Sequence, residues 1–434
     1  MSNDNVTPIT RDAGLIMVSS DGHAAPQYMA DYLPYLDKPF RDDFADVCKE
    51  HDKRLAENRI TPSSDLYDAD MVERQRRTVE DPLSYRGEWD AGFRARQALE
   101  TQGCAAEVLF HQSLLWPFSP GMISSGVGAR TWTPEHFVAG ATAYNRWLAD
   151  FVSVEPDRYA AQAIVFFYDV DQAIAEVRWA KENGFRGVIA PGCDTALPFH
   201  WHPRYEPFWQ VCEELDMPLN FHVGTGESPG DRSPDIPMNL RSQLVEIECG
   251  VAPRRHLPYM IMSGVLERFP KLKLVFTEIR ADWVPQQLSL MDWVWEHGRT
   301  HRSTLPNPPS FYWNRQCYVG ASLVSRGEVH HHAEIGHLMF GIDYPHLEGC
   351  AADVLNYLRA VLADGNMTDT QVKSFLGETA VDVFNFDRAK LALLAAKCGY
   401  TMKQLREAIP STNLPEVLQR TDVNRTWNLE KFAS

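Results

Sequence analysis

The chain has 434 residues, 44% of them hydrophobic, which is enough to bury a large core. Its 42 Lys and Arg against 58 Asp and Glu give a formal net charge of −16, which argues against nucleic acid or an anionic membrane as partner. No C-x-x-C pair is present, no apolar run approaches the roughly 20 residues of a membrane span, and the polar start is unlike a signal peptide, so we expect a cytoplasmic protein.

Short apolar runs alternate with amphipathic segments along the chain, a pattern typical of repeated βα units. The predicted strands are residues 15–20, 106–110, 163–167, 187–190, 218–223, 272–278, 316–320 and 338–342. Eight parallel strands are the number that closes a (β/α)8 barrel. A doubly wound sheet is the competing fold, but the sequence has no Gly-rich phosphate-binding turn after the first strand. We therefore expect the TIM-like barrel.

Two of the predicted helices have clear end signals. One covers residues 133–152, with Thr133 as N-cap and Pro134 as the first helical residue. The other covers residues 169–184 and ends at Gly184.

Two segments lie outside a minimal barrel within residues 1–387. Residues 24–102 follow the first strand and far exceed a usual βα loop of about 2–6 residues, so we expect this insertion to cover or flank the barrel mouth. Residues 388–434 form a helical C-terminal extension that packs either on the barrel or on a partner subunit. The second arrangement would give a homodimer.

Polar residues stand at the ends of four predicted strands. Asp21 and His23 end the first strand and share one face of an extended chain. His222 lies near the end of the fifth predicted strand, Glu278 ends the sixth, and Asp343 follows the eighth. Singly, each could be a turn acid, a capping carboxylate or a buried histidine. Because strand ends of a barrel converge on one mouth, their shared position predicts a metal site built from imidazole and carboxylate ligands.

Other side chains near these strand ends have open alternatives. His346 lies one turn past Asp343 and could ligate a metal or orient that aspartate. His111 follows the second strand and is interpreted either as a substrate contact or as a packing residue. Trp116 and Phe118, in the loop beyond it, are predicted apolar walls of a substrate pocket.

Four stretches resemble the amidohydrolase-2 family of metal-dependent (β/α)8 enzymes, which includes hydrolases and nonoxidative decarboxylases. They are SSDGHAAP, LNFHVGTG, SGVLERFPKLKLVFTE with the following WVPQQLSLMD, and FGIDYPHLEG. The resemblance runs over about residues 15–387. It implies that Asp21 and His23 form the strand-one ligand pair, that His222 is the strand-five ligand, and that Asp343 binds the metal and handles a proton.

The sequence departs from that family pattern at Glu278, which stands where many members carry histidine. With Asp21 and Asp343 it brings three carboxylates to one mouth, so one divalent ion would leave a net charge of about −1. Mixed carboxylate and imidazole ligation with open positions is typical of iron that activates oxygen, although zinc and manganese accept similar ligands.

The chain also resembles an offshoot of the family, the nonheme diiron monooxygenases of platensimycin and platencin biosynthesis. This implies two Fe ions with O2 as cosubstrate, Asp343 and Glu278 as catalytic residues, and an external electron donor. The expected substrate is then a bulky apolar, terpenoid-like carboxylate, carried as its CoA thioester. The alternative is a hydrolase or nonoxidative decarboxylase with a single Zn or Mn ion. A metal-stabilised binding protein is a third hypothesis, which turnover would exclude.

Overall fold

Most of the chain is described by the computed structural model. The described residues are 14–56, 86–112, 116–119, 132–191, 197–223, 240, 244, 250–298, 303–322, 324, 327–329, 337–346, 349–351, 353–362 and 365–409.

Nine parallel strand segments form one nearly closed sheet, which confirms the predicted (β/α)8 barrel. They are β1 Val18–Ser19, β2 His23–Ala24, β3 Ala106–His111, β4 Tyr159–Ile164, β5 Gly187–Ile189, β6 Leu219–His222, β7 Leu274–Thr277, β8 Cys317–Ser322 and β9 Leu338–Gly341. Each strand from β3 to β8 pairs with the next, and β1 and β2 both pair with β3, so the nine segments occupy eight barrel positions.

Helices follow the strands in the order that the alternating pattern predicts. They are α1 Arg41–Ala56, α2 Ala91–Phe93, α3 Pro134–Val152, α4 Val170–Glu182, α5 Glu206–Glu214, α6 Val251–Arg254, α7 His256–Met262, α8 Val265–Arg268, α9 Val284–His297, α10 Pro309–Gln316, α11 Val354–Val361, α12 Asp369–Lys373, α13 Thr379–Val383, α14 Arg388–Cys398 and α15 Met402–Arg406. Thr133 caps α3 as expected. Gly184, with φ 87°, follows the end of α4.

The strand residues form the buried centre of the molecule. All of them are buried except Tyr318, which is half-buried. Burial on both faces is what parallel strands require, because helices cover the outside of the sheet and packed side chains fill its interior. Within the described helices, none is both long enough and apolar enough to cross a bilayer.

Strand β4 begins earlier than the sequence predicts. The expected strand covered residues 163–167, whereas the ladder to β3 pairs Tyr159 with Glu107 and continues through Ala161. Phe167, the last residue of the predicted strand, lies beyond the end of β4. Its ring packs against those of Tyr205 and Trp209.

The first and last strands meet along a seam of backbone hydrogen bonds. Ser20 N donates to Phe340 O at 2.7 Å, Asp343 N donates to Asp21 O at 3.0 Å, and His23 N donates to the carbonyl of Tyr344 at 2.7 Å. The seam therefore brings the end of the chain's first strand beside the end of its last.

The predicted boundaries of the insertion and of the C-terminal extension stay predictions. Residues 57–85 of the insertion and 410–434 of the extension lie outside the described part of the chain. Described parts of both segments are helical, with α1 in the insertion and α14 and α15 in the extension.

Candidate metal centre

The polar residues predicted from strand ends converge at one end of the barrel. Asp21, His23, His222 and Glu278 form one group whose donor atoms all lie within 4.8 Å of one another. His23 and Glu278 also form such a group with Asp343 and His346.

Two histidines present one nitrogen each to this cluster. The Nδ1 atom of His23 lies 2.8 Å from the carbonyl oxygen of His111, and the Nδ1 atom of His222 lies 2.8 Å from the carbonyl oxygen of Val223. A carbonyl oxygen only accepts, so Nδ1 carries the proton in both rings. In the neutral tautomer the lone pair is then on Nε2, which is the arrangement usual for metal-bound histidine.

The Nε2 atoms of these histidines face carboxylate oxygens rather than donors. His23 Nε2 lies 3.1 Å from Asp343 Oδ1 and 3.6 Å from Asp21 Oδ1. His222 Nε2 lies 3.3 Å from Asp21 Oδ1 and 3.4 Å from Glu278 Oε2. Lone pairs that face carboxylates at such distances repel each other unless a cation lies between them.

The aspartates of the cluster are completely buried. Asp21 accepts a hydrogen bond of 2.6 Å from the hydroxyl of Ser322. Asp343 Oδ1 lies 3.1 Å from His23 Nε2 and 2.8 Å from His346 Nδ1. Because a fully buried carboxylate needs a compensating positive charge, these oxygens are suited to bind a cation.

Burial and the nearby carboxylates shift the pKa of His23 in opposite directions, and burial and the nearby histidines do the same to the pKa of Asp343. Burial lowers the pKa of His23, and His346 lowers it further, although Asp343 and Asp21 oppose the shift. Burial raises the pKa of Asp343, but His346 and His23 lower it more, so its pKa is well below the ordinary range. A neutral imidazole beside an ionised carboxylate is the form in which both groups bind metals.

Two of the carboxylates extend from strained backbone. Glu278 directly follows β7 and has φ 57°, and Asp343 follows β9 with φ 60°. Left-handed backbone is uncommon outside glycine, and such strain concentrates at functional sites. The sharp turn directs each carboxylate across the barrel mouth.

A second row of polar side chains lies beside His346. The Nε2 atom of His346 is 2.6 Å from Gln112 Oε1, and its ring stacks on His23 with centroids 4.0 Å apart. Glu88 is 7% exposed. Burial raises the pKa of Glu88 to about 7, against the opposing effects of His346, Arg94 and a side-chain hydrogen bond with Gln112.

Glu88, Gln112 and Ser322 were not predicted from the sequence. Gln112 and Ser322 stand at strand ends, so the rule that found His111 could have found them. Glu88 lies in the insertion, where no strand pattern shows which residues approach the mouth.

The three predicted substrate contacts occupy different surroundings. His111 is buried with its ring 5.8 Å from that of Trp116, and burial lowers its pKa to about 3, with His222 and His23 adding to the shift. Phe118 instead packs at 4.7 Å from the ring of Trp132, within an aromatic cluster. Their contact with substrate stays a prediction.

The donor set fits one divalent ion. The spacing of 3.1–3.6 Å between neighbouring donor atoms resembles the ~3.0–3.4 Å that separates ligands around a cation held by bonds of about 2.1 Å. The two possible groups share His23 and Glu278, and the second nitrogen of His23 is used by a backbone carbonyl. With two members in common, they are not two independent ligand sets.

This chain is similar to one known protein family and to several characterised proteins. A family model described as Amidohydrolase matches residues 116–386. Gamma-resorcylate decarboxylase from Polaromonas sp. (strain JS666) is 26% identical over 216 residues, which are 46% of this chain and 64% of that protein. The match thus spans less than two thirds of the relative.

Solved structures with the same fold are similar over most of the chain. The 5-carboxyvanillate decarboxylase from Sphingomonas paucimobilis has a TM-score of 0.58 at 18% identity and covers 86% of this chain and 100% of its own. A dihydroxybenzoic acid decarboxylase from Polaromonas sp. JS666, with bound manganese and the inhibitor 2-nitroresorcinol, has a TM-score of 0.53 at 16% identity, covering 87% of this chain and 99% of its own.

The prediction of an oxygen-activating diiron monooxygenase is wrong. The similar proteins are nonoxidative decarboxylases, and the ion in the solved relatives is manganese rather than a pair of irons with O2. The two irons followed from the resemblance to the diiron offshoot, and the charge count did not correct it, because a net charge near −1 does not by itself demand a second ion. The CoA thioester, the terpenoid-like substrate and the electron donor were tied to that chemistry and lose their support with it.

Proposed function

The chain belongs to the amidohydrolase family, and from this premise we propose that it is a nonoxidative decarboxylase of a hydroxylated aromatic carboxylic acid, dependent on one divalent metal ion. The observation that carries the proposal is the pair of histidines whose Nδ1 atoms are held by carbonyls while their Nε2 atoms face Asp21, Asp343 and Glu278. The decarboxylase activity of similar proteins and the manganese in one of them support the reaction and the ion.

The residues that would hold the ion are Asp21, His23, His222 and Asp343. All four are buried and lie at strand ends, so the barrel fixes their positions before any ligand arrives. When bound, a divalent ion supplies positive charge that attracts the substrate's carboxylate and an adjacent phenolic oxygen. Manganese is the ion we assign, because solved structures of similar fold contain it.

Glu278 is the residue we assign to proton transfer. Its side chain is 18% exposed, whereas those of Asp21 and Asp343 are fully buried, so it is the carboxyl group of the cluster that exchanges protons with solvent most readily. Glu278 would give its proton to the ring carbon that bears the carboxylate. The electron pair of the breaking C–C bond then returns to the ring, CO2 leaves, and Glu278 regains a proton from water.

His111 and Trp116 would form the apolar side of the substrate site. Burial keeps the His111 ring neutral, since its pKa is about 3, so it adds no charge beside the aromatic acid. The adjacent rings provide flat surfaces against which a substrate ring can stack.

The test is release of CO2 from a panel that contains 2,6-dihydroxybenzoate and 5-carboxyvanillate. We expect CO2 and the corresponding phenol from at least one acid, at equal rates in air and under nitrogen. A chelator should abolish the reaction and Mn²⁺ should restore it. The change H23A should remove both metal and activity, whereas H297A, at a solvent-exposed histidine of α9, should alter neither.

Protein that binds one Mn²⁺ per chain and releases no CO2 from any acid of the panel would contradict the decarboxylase assignment. Activity that survives the loss of metal in H23A would contradict the ligand assignment.

A further inference from the structure

Residues 278–281 form a strained turn between strand β7 and helix α9, which we call the Glu278 turn. Glu278 and Arg280 both have left-handed backbone, with φ 57° and 59°. Such backbone is unfavourable for residues other than glycine and persists only where surrounding contacts hold it. Because Glu278 is the first residue of the turn, the conformation of the turn sets the direction in which its carboxyl group extends.

Side chains from outside the turn hold its carbonyl groups. The Arg254 guanidinium, on α6, donates to the carbonyl of Ile279 at 2.9 Å. The indole N–H group of Trp283 donates to the carbonyl of Arg280 at 3.1 Å. The Arg254 guanidinium also lies over the ring of Trp283, 5.4 Å from its centroid. The backbone N–H group of Ala281 is held by a different residue.

Glu328, beyond β8, binds the Glu278 turn with both oxygens of its carboxylate. Its Oε1 atom accepts from the backbone N–H group of Ala281 at 3.0 Å, and its Oε2 atom accepts from the Arg280 guanidinium at 2.9 Å. Hydrogen bonds to an ionised carboxylate are stronger than those between neutral groups. One side chain therefore holds a left-handed residue and its successor together, across 47 positions of sequence.

The burial of Glu328 indicates that the turn, rather than Arg280, depends on this pair. The Glu328 side chain is 4% exposed, whereas that of Arg280 is 41% exposed. Burying a carboxylate costs free energy that its hydrogen bonds must offset. Arg280 would stay hydrated without Glu328, so its own charge does not require a buried partner. The backbone of the Glu278 turn gains a fixed conformation from the contact.

The Glu278 carboxyl group has less packing around it than the buried ligands of the centre. Its side chain is 18% exposed and lies 3.4 Å from His222 Nε2. Asp21, in contrast, is fully buried and accepts a hydrogen bond of 2.6 Å from Ser322. The position of Glu278 therefore depends more strongly on the backbone from which it extends. A misplacement of about 1 Å can lower the rate of a reaction by about 10²-fold.

We propose that Glu328 is a positioning residue: it holds the Glu278 turn in its left-handed conformation and thereby fixes the Glu278 carboxyl group where it protonates the substrate. The inference rests on the proposed function, because it concerns the proton donor assigned there. Loss of Glu328 should slow the chemical step and leave the metal ligands in place, since those extend from other strands.

The first test uses E328L in the metal-free protein. This change removes both hydrogen bonds without leaving a buried unpaired charge, because Arg280 reaches solvent, so the fold should be retained. Hydrogen exchange followed by mass spectrometry should show faster exchange at Ala281. A crystal structure should show the Glu278 carboxyl group displaced from His222. E328Q, whose amide oxygen can still accept from Ala281, should exchange more slowly than E328L.

The second test is the rate of CO2 release from the acid that the unaltered chain accepts. We expect E328L to lower kcat by about 10–100-fold, with KM and Mn²⁺ affinity unchanged and with E328Q between E328L and the unaltered chain. In an E278Q background, which has lost the proton donor, E328L should cause no further fall in kcat.

The pair of Glu176 and Arg146 offers a matched control between helices α3 and α4. Glu176 accepts from the Arg146 guanidinium at 2.7 and 2.9 Å, and the two side chains are 7% and 29% exposed. E176L thus removes a comparable pair that does not contact the Glu278 turn. We expect this variant to keep the kcat of the unaltered chain.

Unchanged exchange at Ala281 in E328L would overturn the inference, and so would a Glu278 carboxyl group that stays in place. Additive losses of kcat from E328L and E278Q, or an equal loss in E176L, would assign Glu328 a purely structural role. A failure of the proposed reaction is recognised separately, because the unaltered chain then releases no CO2. The exchange and crystallographic measurements use no substrate and still decide whether Glu328 holds the turn.

Discussion

At the scale of single residues, Glu278 differs from the other carboxylates of the cluster. It reaches solvent, lies 3.4 Å from His222 Nε2, and extends from left-handed backbone that holds it across the mouth. These properties suit a group that moves a proton at a metal centre without being enclosed by it.

The change E278Q tests this role. The amide keeps the size of the side chain but neither donates the proton nor carries the charge, so we expect kcat for CO2 release to fall by about 10²–10⁴-fold. Metal content, measured by atomic emission, should remain near one ion per chain because four buried ligands are unchanged. Metal lost in parallel with activity would show that Glu278 is mainly a ligand.

The convergence of the strand-end residues could be predicted because Asp21, His23, His222, Glu278 and Asp343 all follow apolar runs, and parallel strands of a barrel end on the same side. The side chains that contact these residues could not be predicted from the sequence. Gln112 contacts His346 across 234 positions of sequence, and no local pattern records such a pairing. The number of ions was predicted incorrectly because it was taken from a resemblance to diiron enzymes, and a count of charges does not by itself fix how many ions a site holds.

At the scale of elements, the barrel strand β3 and the helical segment after α2 are joined by a buried ion pair. Arg94 and Glu107 are both fully buried, with Arg94 Nε 2.6 Å from Glu107 Oε2. Arg94 also donates to the carbonyls of His23 and Tyr344 at 2.7 and 3.2 Å. The guanidinium therefore ties the insertion to both sides of the seam.

The change R94L should lower the free energy of unfolding by about 3–5 kcal/mol, because Glu107 is then left as an uncompensated buried charge. Urea unfolding of the metal-free protein measures this. The nearby pair of Arg96 and Glu155 offers a matched control, since its side chains are 61% and 32% exposed, and R96L should cost less than about 1 kcal/mol. Equal losses in the two variants would contradict the buried-pair interpretation.

Element boundaries were predictable only where a local signal sets them. Helix α3 begins after Thr133 because an N-cap and proline act locally. Strand β4 was misplaced because its register depends on pairing with β3 and β5. Its Gln162 is a polar residue inside the barrel, bonded at 2.6 Å to Asn220, and an apolar run gives no sign of it.

At the scale of the whole molecule, two buried histidines make stability depend on pH. The rings of His200 and His256 stack with centroids 4.4 Å apart. Burial lowers the pKa of His200 to about 3 and places that of His256 well below its ordinary value. Because these pKa values are depressed on folding, the unfolded chain binds protons first as pH falls below about 6.5, and the folded state loses stability toward lower pH.

The change H200F should reduce this dependence by up to about 1.4 kcal/mol per pH unit between pH 6 and 4. Phenylalanine suits the site, since the ring of His200 lies among Phe167, Tyr205 and Trp209. The measurement is urea unfolding at several pH values, with the exposed His297 changed to Phe as the control for loss of one imidazole. Parallel curves for H200F and the unaltered chain would contradict the prediction.

Metal removal should also act on the molecule as a whole. A ligand that binds only the folded state stabilises it by about 4 kcal/mol at a free concentration 1,000 times its dissociation constant. We therefore expect chelation to lower Tm by several degrees and added Mn²⁺ to restore it, as followed by calorimetry. The H23A variant serves as the control, and its Tm should not depend on Mn²⁺. If the Tm of the unaltered chain is also independent of Mn²⁺, the folded barrel does not bind the metal.

The seam has a consequence for biosynthesis. Ile342 donates a hydrogen bond of 2.9 Å to Ser19 Oγ across 323 positions of sequence, and the proposed ligands on either side of this contact come from the first and the last strand of the barrel. A nascent chain on the ribosome holds Asp21 and His23 long before Asp343 has been translated. The proposed ion site would be completed only when β9 emerges and docks beside β1, so metal binding would come late in maturation, after nearly all of the barrel has been synthesised.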